Sequence, residues 1–241
     1  MNLTIRYSVN VPLPPASLPS LTTPPTSEKP LVLILSGSTA AGKNTVWWAL
    51  HDLLHVAEHP LLLRRTVSCT TRSPRQRRPG DRRGAGMEEY GVDYHFISEP
   101  DFRERIEADH FAEWALVHGH RYGTPREELQ SQQGESVILA EIEVDGTQTL
   151  TQFLSRVGVD HRTIFIQPPG TEDEIVEALQ RSLALSASDT AEAQAIRLER
   201  VRRELRAGVA YHHRIPNDIS KGDMGVTAAR QLLLEVFDIT L

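Results

Sequence analysis

Apolar and polar residues alternate along the chain in two kinds of segment. Leu31–Leu35 is an unbroken apolar run of strand length, closed by a cluster of small residues. A strand apolar on both faces predicts burial inside a parallel sheet. Leu61–Val67, Ser136–Ile142 and Thr163–Ile166 are further strand-like runs. Thr45–Ala57, Pro100–Asp109, Glu172–Leu185, the highly charged Ala191–Ala210 and Thr227–Phe237 read as helices. Trp47 and Trp48 in the first of these read as packing residues. Ser73–Gly91 is a loop rich in Gly, Arg and Pro. Strands alternating with helices predict an α/β domain with a mainly parallel sheet, and no repeat or second domain is visible.

Residues 1–29 break this pattern. They are rich in Pro, Ser and Thr and almost uncharged, and read as a disordered extension. With Arg6 as their one arginine, an organelle address is the less supported reading. The net charge of −6 gives no basic footprint for nucleic acid. No apolar run approaches the roughly 20 residues that cross a bilayer, so no membrane partner is expected. Cys69 is the single cysteine, which excludes an internal disulfide framework and favours a reducing, cytoplasmic setting. The ten histidines show no metal-ligand spacing.

The stretch GSTAAGKN from Gly37 to Asn44 has the spacing G-x-x-x-x-G-K of a phosphate-binding loop, with a strand before it and a helix after. Small residues let the backbone curl until several N–H groups converge on one point. The helix N-terminus adds its positive dipole end. Lys43 supplies a full charge for the β- and γ-phosphates of a nucleotide. Gly37, Ser38, Thr39, Ala40, Ala41, Gly42, Lys43, Asn44 and Thr45 are therefore the expected ATP-tail site. The residue after the lysine is commonly Ser or Thr, whose hydroxyl reaches Mg²⁺. Here Asn44 and Thr45 are the candidates, acting through a water.

Four further runs follow in order: TTRSPR with Arg72 and Arg75, GVDYHF with Tyr94, FAEWA with Glu113, and RYGT with Tyr122 and Thr124. Guanidinium forks grip phosphate bidentately. A carboxylate accepts two parallel hydrogen bonds from the N1–H and 2-amino edge of guanine, a donor pair that adenine lacks. Together with the phosphate loop, this ordered set resembles the guanylate kinases from about Leu31 to near the C-terminus. The resemblance implies a P-loop nucleoside monophosphate kinase fold, with a helix-flanked parallel sheet as its core. Residues 30–241 would form that domain, with a small GMP-binding arm over 66–130 and a helical lid over 172–205. The implied substrates are ATP, with Mg²⁺, and GMP; no protein partner is evident.

Residue by residue, the resemblance implies that Arg72, Arg75, Tyr94 and Tyr122 bind the GMP phosphate, and that Ser68, Glu113 and Thr124 bind the base. Glu141 and Glu143 stand where the family has two aspartates, one near the base and one near the magnesium and Lys43. Asn217 and Asp218 match an Asn-Asp pair beside the adenine. Lys43, Arg72 and Arg197 are the expected catalytic cations. The sequence departs from the family in two places. The loop after Arg75 is about ten residues longer and carries Arg77, Arg78, Arg82 and Arg83. The run from Ser182 to Ala187 contains no arginine where the family's lid has them, and Arg181 lies just before it. An inactive binding module of the same fold and a related kinase with another phosphate acceptor remain as rival readings. The retained Lys43 argues against the first, and Glu113 against the second.

Overall fold

The computed structural model describes residues 31–39, 41–77, 83–117, 119–130, 137–185, 190–223 and 225–241. The Pro-rich extension, Ala40, Arg78, Arg82 and residues 186–187 lie outside them.

In chain order the strands and helices are β1 (Leu31–Gly37), α1 (Lys43–Val56), β2 (Leu63–Arg65), β3 (Cys69–Thr70), β4 (His95–Phe96), α2 (Glu99–Glu107), β5 (Phe111–Val117), β6 (His120–Pro125), β7 (Val137–Glu141), α3 (Val144–Val157), β8 (His161–Gln167), α4 (Glu172–Leu185), α5 (Ala191–Gly208), β9 (His213–Pro216) and α6 (Val226–Phe237). One sheet runs β2-β7-β1-β8-β9, and every neighbouring pair in it is parallel.

β1 is buried along its whole length, as its unbroken apolar run requires. Its alternation divides the core in two. Leu31, Leu33 and Leu35 pack with α1 and α6, whereas Val32 and Ile34 pack with Leu150 and Leu154 of α3. Helices on both faces make the three-layer sandwich that parallel strands need. Trp47 is buried in the first of these clusters and Trp48 packs at its edge, as expected.

A second sheet, β4-β3-β6-β5, stands beside the first. β5 and β6 pair antiparallel with Glu113 opposite Thr124, and β6 pairs β3 with Tyr122 opposite Thr70. α2 covers this sheet through Phe102, which stacks on Phe111 at 4.5 Å. Cys69 belongs to the same small cluster. The Ser98 hydroxyl caps α2 by accepting from the Asp101 N–H.

The third part is the α4–α5 hairpin. Its base is buried: Ile175 and Val176 of α4 and Val201 and Leu205 of α5 surround Phe165 and Tyr211. Gly208 is glycine because an added Cβ would lie 2.5 Å from the Phe165 ring.

Several bounds differ from the sequence expectation. The strand expected at Leu61–Val67 shrinks to Leu63–Arg65, since it is an edge strand paired only with β7. The first helix starts two residues early, at Lys43, because Gly42 turns into the left-handed region and launches it directly. Helix α3 and strands β3 to β6 and β9 were not anticipated as elements.

Candidate active site

Parallel α/β sheets bind ligands beyond the carboxyl ends of their strands. Those ends here are Gly37, Arg65, Glu141, Gln167 and Pro216; the phosphate loop follows the first, Glu143 the third and Asn217–Asp218 the last, while the other candidates, Arg197 apart, belong to the second sheet or the loops beside it.

The phosphate loop is fixed by two close approaches. A Cβ on Gly37 would sit 2.3 Å from the Ile166 carbonyl oxygen, so only glycine lets β1 pair with β8 at this point. Gly42 has φ +77, and a Cβ there would meet the Asn217 amide nitrogen at 2.6 Å. That amide donates to the Ala41 carbonyl at 2.8 Å, and Asn217 is only 2% exposed. Asn217 thus braces the loop from behind. Asp218 caps the following turn by accepting from the Ser220 N–H and hydroxyl. The Thr39 N–H donates to Glu204 at 2.7 Å, and its hydroxyl donates at 3.0 Å.

Lys43 opens α1, with its ammonium 4.0 Å from Glu143 Oε1. Asn44 is exposed beside it and accepts from Arg65 at 3.1 Å. Arg65 also lies 3.7 Å from Glu141, so one guanidinium links the ends of β2, β7 and α1. The oxygens of Asn44, Thr45, Glu141 and Glu143 form a set of hard donors. They fit Mg²⁺, which prefers oxygen and keeps most of its waters. Among the described residues, no group of three or more His, Cys, Asp or Glu side chains is poised as a metal cage.

The second sheet carries the other half of the candidate set. Arg72 is buried. Its Nε donates to the Tyr122 hydroxyl at 3.1 Å, and its two terminal nitrogens donate to Glu88 at 2.6 and 3.0 Å. Its guanidinium also lies 5.1 Å above the Tyr94 ring. Burial opposes the charge, but the bonds to Glu88 and Tyr122 outweigh it and hold Arg72 firmly protonated. Tyr94 packs edge-on to Tyr122 at 5.8 Å. Burial, then the Glu141 carboxylate, pushes its hydroxyl up to about 12. Arg75 is exposed, and its backbone N–H donates to the same Glu88.

Glu113 is 6% exposed and accepts from the Thr124 hydroxyl at 2.7 Å. Burial pushes its carboxyl up to about 7, against the pull of its bonds with Thr124. Gly146, in the first turn of α3, leaves it room: a Cβ there would come within 2.7 Å of Glu113 Oε2. Tyr122 and Thr124 share one face of β6, roughly 7 Å apart. Ser68 precedes β3 and is half-buried.

Other expected residues fall elsewhere. Arg197 lies exposed on α5, and Arg181 pairs with Glu177 on an exposed face of α4. In the long loop, Arg77 bonds Glu89, and Arg83 bonds Asp93 and stands over Trp48. His212 accepts from the Thr163 N–H at 2.9 Å; burial, then Arg162, pushes it down to about 4, so it is neutral and structural. Cys69 is fully buried, and burial pushes its thiol up to about 11, as suits a packed residue.

Sequence reasoning missed Arg65, Glu88, Arg200 and Glu204. Arg65 had a usable signal, since it ends a strand of the parallel sheet. Glu88 and Glu204 reach their partners only through the fold.

A model of the guanylate kinase family matches residues 28–220. A guanylate kinase of Symbiobacterium thermophilum is 38% identical over 197 residues, covering 80% of this chain and 81% of that protein. One of Myxococcus xanthus is 33% identical over 190 residues, covering 78% and 79%. The crystal structure of guanylate kinase from Anaplasma phagocytophilum matches with a TM-score of 0.53 at 25% identity, covering 84% of this chain and 82% of that one.

Proposed function

The chain belongs to the guanylate kinase family, and from that premise we propose that it transfers the γ-phosphate of ATP to GMP, giving ADP and GDP. The observation that carries this for the chain's own residues is the buried Glu113–Thr124 pair, two residues along β6 from the Arg72–Tyr94–Tyr122 group. A base reader and a phosphate reader share one sheet.

In this reading Lys43 and the amides of residues 37–45 hold the ATP phosphates. Arg72, Arg75, Tyr94 and Tyr122 hold the GMP phosphate. Ser68, Glu113 and Thr124 read guanine, with Glu113 ionised to accept from N1–H and the 2-amino group. Asn217 and Asp218 stand on the adenine side. Arg197 is exposed on the hairpin and reaches the phosphates when the hairpin folds over. Mg²⁺ bound with ATP, near Asn44, Thr45, Glu141 and Glu143, would supply positive charge to the phosphates. The enzyme's work is alignment, charge screening and exclusion of water, with no covalent intermediate. Residues 66–130 serve as the GMP arm and 172–205 as the lid, closing over both nucleotides.

No described helix is long and apolar enough to cross a membrane. The buried, unpaired cysteine supports a reducing compartment, and we place the enzyme in the cytoplasm.

The test is ADP release, coupled to an indicator reaction, with GMP, dGMP, AMP, CMP and UMP as acceptors. The guanine nucleotides should turn over and AMP should not. Absence of turnover with every acceptor would leave a nucleotide-binding module without kinase activity.

A further inference from the structure

Helix α5 carries a cation that the assignment of Lys43, Arg72 and Arg197 does not use. Arg200 follows Arg197 by one turn less a residue, and it points toward the phosphate loop. Its side chain is one-quarter exposed. Nε donates to Glu204 Oε1 at 2.7 Å, and Nη2 donates to Glu143 Oε2 at 3.1 Å. The other oxygen of Glu143 is the one 4.0 Å from Lys43 Nζ. A single carboxylate therefore separates Arg200 from the phosphate-loop lysine. On its far side, Glu204 is 1% exposed and accepts from the Thr39 N–H and hydroxyl within the loop. The result is one continuous line of contacts: Lys43, Glu143, Arg200, Glu204, Thr39.

Offsetting the buried charge of Glu204 would require only one face of the guanidinium. The second nitrogen is spent on Glu143, a half-exposed carboxylate at the lip of the cleft. Burial opposes the charge of Arg200, but the bond to Glu204 and the field of Glu143 and Asp145 outweigh it, so the cation is permanent. No arginine occurs between Arg181 and Arg197, and Arg181 is turned outward to Glu177. Phosphoryl transfer spreads charge over three oxygens and needs cations placed in advance.

We propose that Arg200 is a phosphate-directed arginine of this kinase. Anchored by Glu204 and sharing Glu143 with Lys43, it presents a second cation to the phosphoryl group in transit. This deepens the proposed function and rests on it. In the transfer, a GMP phosphate oxygen bonds to the γ-phosphorus while the bond to the β–γ bridging oxygen breaks. That oxygen leaves on ADP with the electron pair, and Arg200 neither gains nor loses a proton.

The experiment compares wild type with Arg200→Met, Arg200→Lys and the double variant Arg200→Met/Glu204→Gln. Steady-state kinetics with ATP and GMP are run well below each melting temperature. Arg200→Met should lower kcat by roughly 10³-fold with the KM for GMP unchanged, and lysine should restore part of the loss. The double variant removes the buried carboxylate charge as well, so it keeps the fold without needing the arginine; it should remain as slow as Arg200→Met. Wild-type kcat in Arg200→Met, or recovery of kcat in the double variant, would show that Arg200 only neutralises Glu204 and would overturn the proposal. A wild-type protein inactive toward GMP would instead sink the kinase reading, and this proposal with it.

Discussion

Burial leaves Glu113 close to half-protonated at neutral pH, yet the guanine contact proposed for it needs the charged form. Its carboxyl titrates at about 7 rather than at its ordinary 4.5, so ionising it works against the fold. The contribution of the neutral form to stability is complete below about 4.5 and is lost as pH rises through about 7. A displacement of that size corresponds to roughly 3 kcal/mol. Glu113→Gln should therefore be more stable than wild type at pH 8 and nearly equal to it at pH 4.5, as read by urea unfolding at both pH values. The same change should weaken GMP far more than ATP. Calorimetry of wild type below pH 7 should show GMP binding releasing a proton, with affinity falling as pH falls. At Gly42 the constraint is steric. Gly42→Ala forces a left-handed alanine against the Asn217 amide and should cost at least about 1–2 kcal/mol, together with most ATP-dependent turnover. Unfolding and activity measurements check the two parts separately.

Among the elements, the α4–α5 hairpin depends on one ring. Phe165 is fully buried among Ile175, Val176, Val201, Leu205 and Tyr211, and Gly208 touches it. Phe165→Ala should destabilise by about 3–5 kcal/mol. It should also speed amide exchange in α4 and α5 more than in α3, whose Leu150 and Leu154 are buried in the separate core against Val32 and Ile34. The sequence showed some elements and hid others for physical reasons. β1 and its loop were legible because burial on both faces and a left-handed turn leave few residue choices. α3 was legible and overlooked: Thr147, Leu150, Thr151 and Leu154 recur at helical spacing before Gly158. Strands β3 and β4, two residues each, carry no period and exist only through their neighbours. Arg72 and Glu113 were found by their order in the chain, but the partnership of Glu88 with Arg72 was not. Nor was Glu204 with Thr39, since it spans 165 positions and depends on the rotation of α5.

At the scale of the whole molecule, the parallel sheet carries the two main cores, and the second sheet and the hairpin stand beside it. In the proposed reading the ATP residues lie on the first and the GMP residues largely on the second. A ligand spanning both sites should therefore bring the parts together, and mass action should stabilise the bound form. With a dinucleotide bisubstrate at 100 times its Kd, the gain should be about 2.7 kcal/mol. It should be accompanied by a smaller radius of gyration in solution scattering. ATP alone should give stabilisation with little compaction.

Cys69 bears on how such movement can be followed. Its thiol is sealed beneath α2 and scarcely ionises at ordinary pH, so the natural chain is chemically silent toward maleimides and spin-label reagents. Two cysteines introduced at exposed positions, one on α2 and one on the outer turns of α5, would be the only groups to react. The gap between α2 and α5 then becomes a length that can be read by resonance or dipolar coupling, with the native residue left in place, and the proposed closure predicts that it shortens when both nucleotides bind.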